Sequence, residues 1–144
     1  MSSQAATLTV SWDDLHRDTR ALARRLIPIG PFSGIIAVAR GGLVPAAILS
    51  RELGLRLVDT LCISSYEGRA HGRPQVLKPV AGDGAGWLVV DDLVDSGDTA
   101  HAVKRMLPRC HYATVYAKPA GRPLVDTHVV DVEQNVWIVF PWGD

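Results

Sequence analysis

The sequence predicts an α/β protein whose core is a mainly parallel β-sheet. Strand-like segments recur at Gly34 to Ala39, Leu57 to Ile63, Trp87 to Val90 and Tyr112 to Ala117, and the first and third are short continuous apolar runs, as expected of strands buried on both faces. Helical segments alternate with most of these runs, which is the arrangement of a parallel sheet. Polar turns follow three of them, at Arg40-Gly41-Gly42, at Asp91 onward and at Lys118. Ligands bind beyond the carboxyl ends of strands in such sheets.

Ser11 opens the first helix, with Asp14 three residues on to complete an approximate capping box. Trp12, Leu15, Thr19, Leu22 and Leu26 follow at spacings of three and four, one stripe of a helix that Pro28 stops. Leu43 to Leu53 reads as a second helix, closed by Gly54. Ser64 to Lys78 carries glycines, a proline and several basic residues without periodicity, and long loops of this kind are often functional lids. Thr99 to Leu107 is helical up to Pro108, Lys118 to Asp126 is a loop, and Val129 to Val132 is a further short strand.

A length of 144 residues suits one domain with one core. Apolar residues make up 47% and charged residues 21%, which excludes a disordered chain. Fifteen basic side chains balance fifteen acidic ones, so there is no electrostatic case for nucleic acid or an anionic membrane. The charge is uneven, however: Asp91, Asp92, Asp95 and Asp98 crowd one segment, while Arg69, Arg73 and Lys78 share another. Cys62 and Cys110 lie far apart and read as reduced packing residues. Neither a signal peptide nor a membrane span is expected, and the cytoplasm is the default location.

The chemistry concentrates in Trp87 to Thr99, WLVVDDLVDSGDT. Four apolar residues enter the sheet, two aspartates emerge, and a Ser-Gly-Asp-Thr turn opens a helix. Unpaired N–H groups and the positive end of the dipole make that helix tip favourable for phosphate. Gly97 permits the tight turn, and Ser96 and Thr99 add hydroxyl donors. Adjacent carboxylates suit sugar hydroxyls or a hydrated Mg²⁺. Asp91, Asp92 and Asp95 also match the Asp-Asp-x-x-Asp metal motif of prenyl-diphosphate enzymes, but that motif belongs on a helix of an all-helical protein.

A helix tip for phosphate beside carboxylates for a ribose resembles the binding signature of the phosphoribosyltransferase family. Arg40 to Pro45 (RGGLVP), Cys62 to Tyr66 (CISSY), Asp91 to Asp95 (DDLVD), Ala117 to Asp126 (AKPAGRPLVD), Trp137-Ile138 and Pro141-Trp142 extend the likeness, in order, to its purine-specific members. The resemblance implies a type I phosphoribosyltransferase fold over residues 1–144: a mainly parallel twisted sheet flanked by helices, a flexible lid loop and a small base-binding hood. It also implies Mg²⁺ as cofactor, and phosphoribosyl pyrophosphate and 6-oxopurine bases as substrates. A homotetramer, and a weak peripheral membrane association, rest on the resemblance alone.

The roles it implies are chemically sensible. Arg40 and the Gly41 amide would hold pyrophosphate, at a turn whose peptide can be cis in the family. Ser65 and Tyr66 would lie on the lid, which excludes water. Asp91, Asp92, Leu93, Val94, Asp95, Ser96, Gly97, Asp98 and Thr99 would line the phosphoribosyl site, with Asp92 toward the metal. Asp95 would accept the N7 proton of the purine as N9 attacks the sugar. Lys118 would donate to the purine O6, Trp137 would stack on the base, and the Ile138 backbone would read its 2-position. Taken alone, Lys118 reads as solvated and Trp137 as a core aromatic.

Three departures from the family stand out. Its turns read Thr-Gly-Gly-Thr where this chain has Ser96-Gly97-Asp98-Thr99, which adds a carboxylate near the expected phosphate. Its central lid arginine aligns with Gly72, leaving Arg73 or Arg69 for pyrophosphate. Its members also continue past the position of Asp144, and a missing tail would bear on the base pocket or subunit contacts. Within the family guanine and xanthine are favoured over hypoxanthine. A non-catalytic regulator that binds phosphoribosyl pyrophosphate is the alternative, but it would need a nucleic-acid-binding segment and would have no use for Asp95 and Lys118.

Overall fold

A computed structural model describes residues 6–64 and 74–143. In chain order the elements are β1 (Thr7–Thr9), α1 (Trp12–Leu26), β2 (Gly34–Ala39), α2 (Leu43–Glu52), β3 (Val58–Ser64), β4 (Gln75–Lys78), β5 (Trp87–Val94), α3 (Asp98–Met106), β6 (His111–Ala117), β7 (Val130–Asp131) and β8 (Trp137–Val139). A short 3₁₀ turn covers Arg122–Leu124.

The main sheet has the order β4-β3-β2-β5-β6-β7, parallel except for the antiparallel β3–β4 pair. Alternation along its central strands divides the core in two. Ile35, Ala37, Leu88 and Val90 face α1 and α2, meeting Leu15, Leu22, Leu26, Ala46 and Leu49. Ile36, Val38 and Val89 face α3, meeting Ala100, Val103 and Leu107. Both faces of β2, β5 and β6 are therefore covered, which is why Gly34 to Ala39 and Trp87 to Val90 read as unbroken apolar runs.

The capping box at the start of α1 forms on both sides. Ser11 Oγ accepts from the Asp14 N–H, and Asp14 Oδ2 accepts from the Ser11 N–H, each at 3.0 Å. Its buried stripe begins at Leu15. Trp12 is 54% exposed and instead meets Trp142 edge-on at 6.1 Å. Both cysteines are free thiols, with Cys110 buried.

Four segments differ from the sequence expectation. β5 runs on to Val94, so Asp91 and Asp92 lie within the strand and do not emerge from its end. Backbone pairing with β6 continues through Asp91↔Thr114 and Leu93↔Tyr116 regardless of side-chain polarity. Gln75–Lys78, expected as loop, forms an exposed edge strand whose Lys78 pairs with Asp59 at 3.2 Å. β1 and β8, which no periodicity announced, form a separate parallel pair with Thr7 opposite Trp137. Among the described residues, no helix is long and apolar enough to cross a membrane.

Candidate active site

Strand order places the site. From β2 the chain passes through α2 to β3 on one side, while β5, β6 and β7 extend the sheet on the other. The crevice beyond the carboxyl ends of β2 and β5 is thus the switch point where open α/β sheets bind ligands. Arg40 follows β2, Asp92 lies among the last residues of β5 with Asp95 just beyond it, and Lys118 follows β6.

The turn after β2 brings its backbone against the acidic strand. The Ala39–Arg40 peptide is cis. A Cβ on Gly41 would stand 2.5 Å from Asp92 Oδ2, so any side chain here would have to displace the carboxylate. Arg40 is exposed beside it. Asp92 is half-buried, and its N–H donates to Asp91 Oδ1 at 2.8 Å. Burial, and then the neighbouring Asp92 carboxylate, hold the Asp91 carboxyl well above the usual carboxylate range. Asp91 is 8% exposed, so of the two expected sugar ligands Asp92 is the more accessible. With Asp91 and Asp92 on a strand, the helical Asp-Asp-x-x-Asp arrangement is excluded.

Past Val94 the chain turns through Asp95 and Ser96, both exposed, into α3. Gly97 caps that helix with φ of 99°, the left-handed region that glycine adopts without strain. Ser96 Oγ accepts from the Asp98 N–H at 3.4 Å, Asp98 is exposed, and Thr99 is half-buried. Leu93 is half-buried, and Val94 is buried in the α3-side core. The turn rests on the next loop: a Cβ on Gly97 would meet Leu124 Cδ1 at 2.7 Å.

Lys118 is 4% exposed and reaches Asp95 Oδ2 with its Nζ at 3.4 Å. It is not the solvated lysine its isolation suggested. Its backbone N–H donates to the Val94 carbonyl at 2.9 Å, which joins the ends of β5 and β6. Trp137 is 52% exposed on β8 and not a core side chain, while Ile138 is 7% exposed. Sequence reasoning missed Gln134. Its Nε2 donates to Asp95 Oδ1 at 2.8 Å, and its Oε1 accepts from the Ala120 N–H at 2.8 Å. No motif marks it; its one signal is its place three residues before Trp137. Ser65, Tyr66, Arg69, Gly72 and Arg73 lie outside the described residues.

A glycine-capped helix tip, a carboxylate pair and a carboxylate–ammonium pair thus share one sheet rim. The phosphoribosyl transferase domain model matches residues 11–143, and the chain belongs to that family. A xanthine-guanine phosphoribosyltransferase from Nitratidesulfovibrio vulgaris is 60% identical over 134 residues, 92% of this chain and 82% of the relative. The crystal structure of a purine phosphoribosyltransferase from Pyrococcus horikoshii superposes with a TM-score of 0.79 at 32% identity, covering 96% of this chain and 94% of that one. A Helicobacter pylori xanthine-guanine-hypoxanthine phosphoribosyltransferase gives 0.78 at 25% identity, covering 95% and 94%.

Proposed function

We propose that this chain is a purine-salvage enzyme acting on phosphoribosyl pyrophosphate. It transfers the 5-phosphoribosyl group to N9 of guanine or xanthine, and of hypoxanthine more weakly, giving GMP, XMP or IMP and pyrophosphate. The pairing of Asp95 with the buried Lys118 carries the reading. A protein that only bound the sugar phosphate would have no need of it, and the names of the similar proteins agree in the class of base.

In the reaction the N9 lone pair forms the bond to the sugar C1. The C1–O bond breaks with its electron pair leaving on pyrophosphate, and the N7 proton passes to the Asp95 carboxylate. Lys118 donates to the purine O6, a bond that an aminopurine cannot accept. Arg40 and the Gly41 amide hold the departing pyrophosphate. The turn from Ser96 to Thr99 holds the 5′-phosphate at the start of α3. Trp137 and Ile138 contact the base, and the family resemblance assigns Ser65, Tyr66 and Arg73 to the pyrophosphate.

The donor set suits Mg²⁺, which takes one or two carboxylates and completes its shell with water and substrate oxygens. Asp92 would hold it. Water and the substrate's own oxygens would supply the remaining ligands. When bound, the ion offsets charge on the leaving oxygens. Homotetramer assembly, on family resemblance, and a cytoplasmic location, as the default for this sequence, belong to the same proposal, and light scattering tests the first.

The direct test is pyrophosphate release from phosphoribosyl pyrophosphate and Mg²⁺ with guanine, xanthine, hypoxanthine and adenine in parallel. Turnover with the three oxopurines and none with adenine is expected. Equal turnover of adenine, or binding of phosphoribosyl pyrophosphate with no turnover of any base, would overturn the reading.

A further inference from the structure

We propose that Gln134 is a positioning residue for base transfer, fixing which oxygen of Asp95 faces the purine. The inference rests on the reading above that Asp95 accepts the N7 proton.

The orientation of the Gln134 amide is set by its partners. A backbone N–H can only donate, so the bond with Ala120 N at 2.8 Å requires the side-chain oxygen. That leaves the NH₂ group for Asp95 Oδ1, also at 2.8 Å. The other carboxylate oxygen, Oδ2, meets Lys118 Nζ at the longer distance of 3.4 Å. The two contacts differ in what a purine would do to them. Lys118 can turn from Oδ2 to the purine O6, which frees Oδ2 for the N7 proton. The Gln134 bond to Oδ1 need not break, so the carboxylate keeps its plane while its partner exchanges.

The same side chain spans two parts of the site. Gln134 stands three residues before Trp137, the first residue of β8, and Ala120 lies two residues after Lys118. A single amide therefore registers the stacking surface, the proton acceptor and the lysine loop against one another. Gln134 is itself exposed, so its substitution leaves the core untouched.

Gln134→Leu removes both hydrogen bonds; kcat/KM for guanine should fall about tenfold or more while the KM for phosphoribosyl pyrophosphate stays within about twofold. Gln134→Glu keeps the acceptor for Ala120 but sets a carboxylate against Asp95. The acid limb of the kcat/KM profile for guanine should then move up by about one pH unit. An acid limb left where it is in the parent enzyme would show that this side chain does not lie against Asp95 in solution, and such a result would overturn the proposal. Unchanged guanine kinetics in the leucine variant, with its melting temperature retained, would do the same. Asp95→Ala belongs in the same assay. If it keeps full turnover, the role given to Asp95 itself fails. If it is inactive while both Gln134 variants behave as the parent, only the positioning role is lost.

Discussion

Asp98 stands exposed at the first position of α3, where its charge favours the helix dipole but also neighbours the expected 5′-phosphate. Asp98→Gly should leave the KM for phosphoribosyl pyrophosphate unchanged or lower it; a marked rise would mean that this carboxylate helps to anchor the sugar phosphate. Asp126 is a residue of stability and not of chemistry. Burial alone would raise its carboxyl, yet hydrogen bonds from Lys104 Nζ at 2.6 Å and the Tyr112 N–H at 2.8 Å hold it below the usual range. As the pH falls the unfolded chain therefore binds this proton first, near the free value of about 3.9. The stability Asp126 contributes is complete above that value and is lost as the pH drops through the folded one. Asp126→Asn should lower the melting temperature at pH 7 and flatten its fall below about pH 4, measured by calorimetry. Side-chain burial was the least legible property at this scale. Lys118 and Trp137 exchanged the environments their residue types suggested, because neighbours distant in sequence decide burial. Gln134 could not be read at all, since its role exists only where two loops meet.

Elements that carry their own instructions were legible. The α1 cap, the apolar run of β2 and the glycine-capped start of α3 each encode their geometry within a few residues. β5 was read too short because polarity was taken as its end, whereas a strand continues wherever its neighbour offers a ladder. β1 and β8, of three residues each, are too short for any period to register. The turn before α3 can be tested as a unit. Gly97→Ala forces a side chain into positive φ and onto Leu124 Cδ1. It should cost about 1–3 kcal/mol of stability by chemical denaturation, and it should raise the KM for phosphoribosyl pyrophosphate more than that for guanine. A neutral result would mean that the turn tolerates another conformation.

Over the whole molecule, helices cover both faces of the central strands, and the groups assigned to chemistry gather along one rim. The alternation of apolar runs made this plan readable from sequence, since only a sheet buried on both sides needs such runs. The separate parallel pair of β1 and β8 is held differently, with Leu8 and Trp137 exposed. Amide hydrogen exchange should therefore be slowest in β2, β5 and β6 and clearly faster in β1 and β8; equal protection would show that the small pair is as firmly set as the core. One contact beneath the rim reaches further than its size suggests. Leu124 seats a methyl group under Gly97, and the loop that carries it begins at Lys118, whose N–H is bonded to Val94. The turn proposed for the sugar phosphate and the lysine proposed for the base thus share one footing, which on that reading would align the two substrates to each other before either arrives.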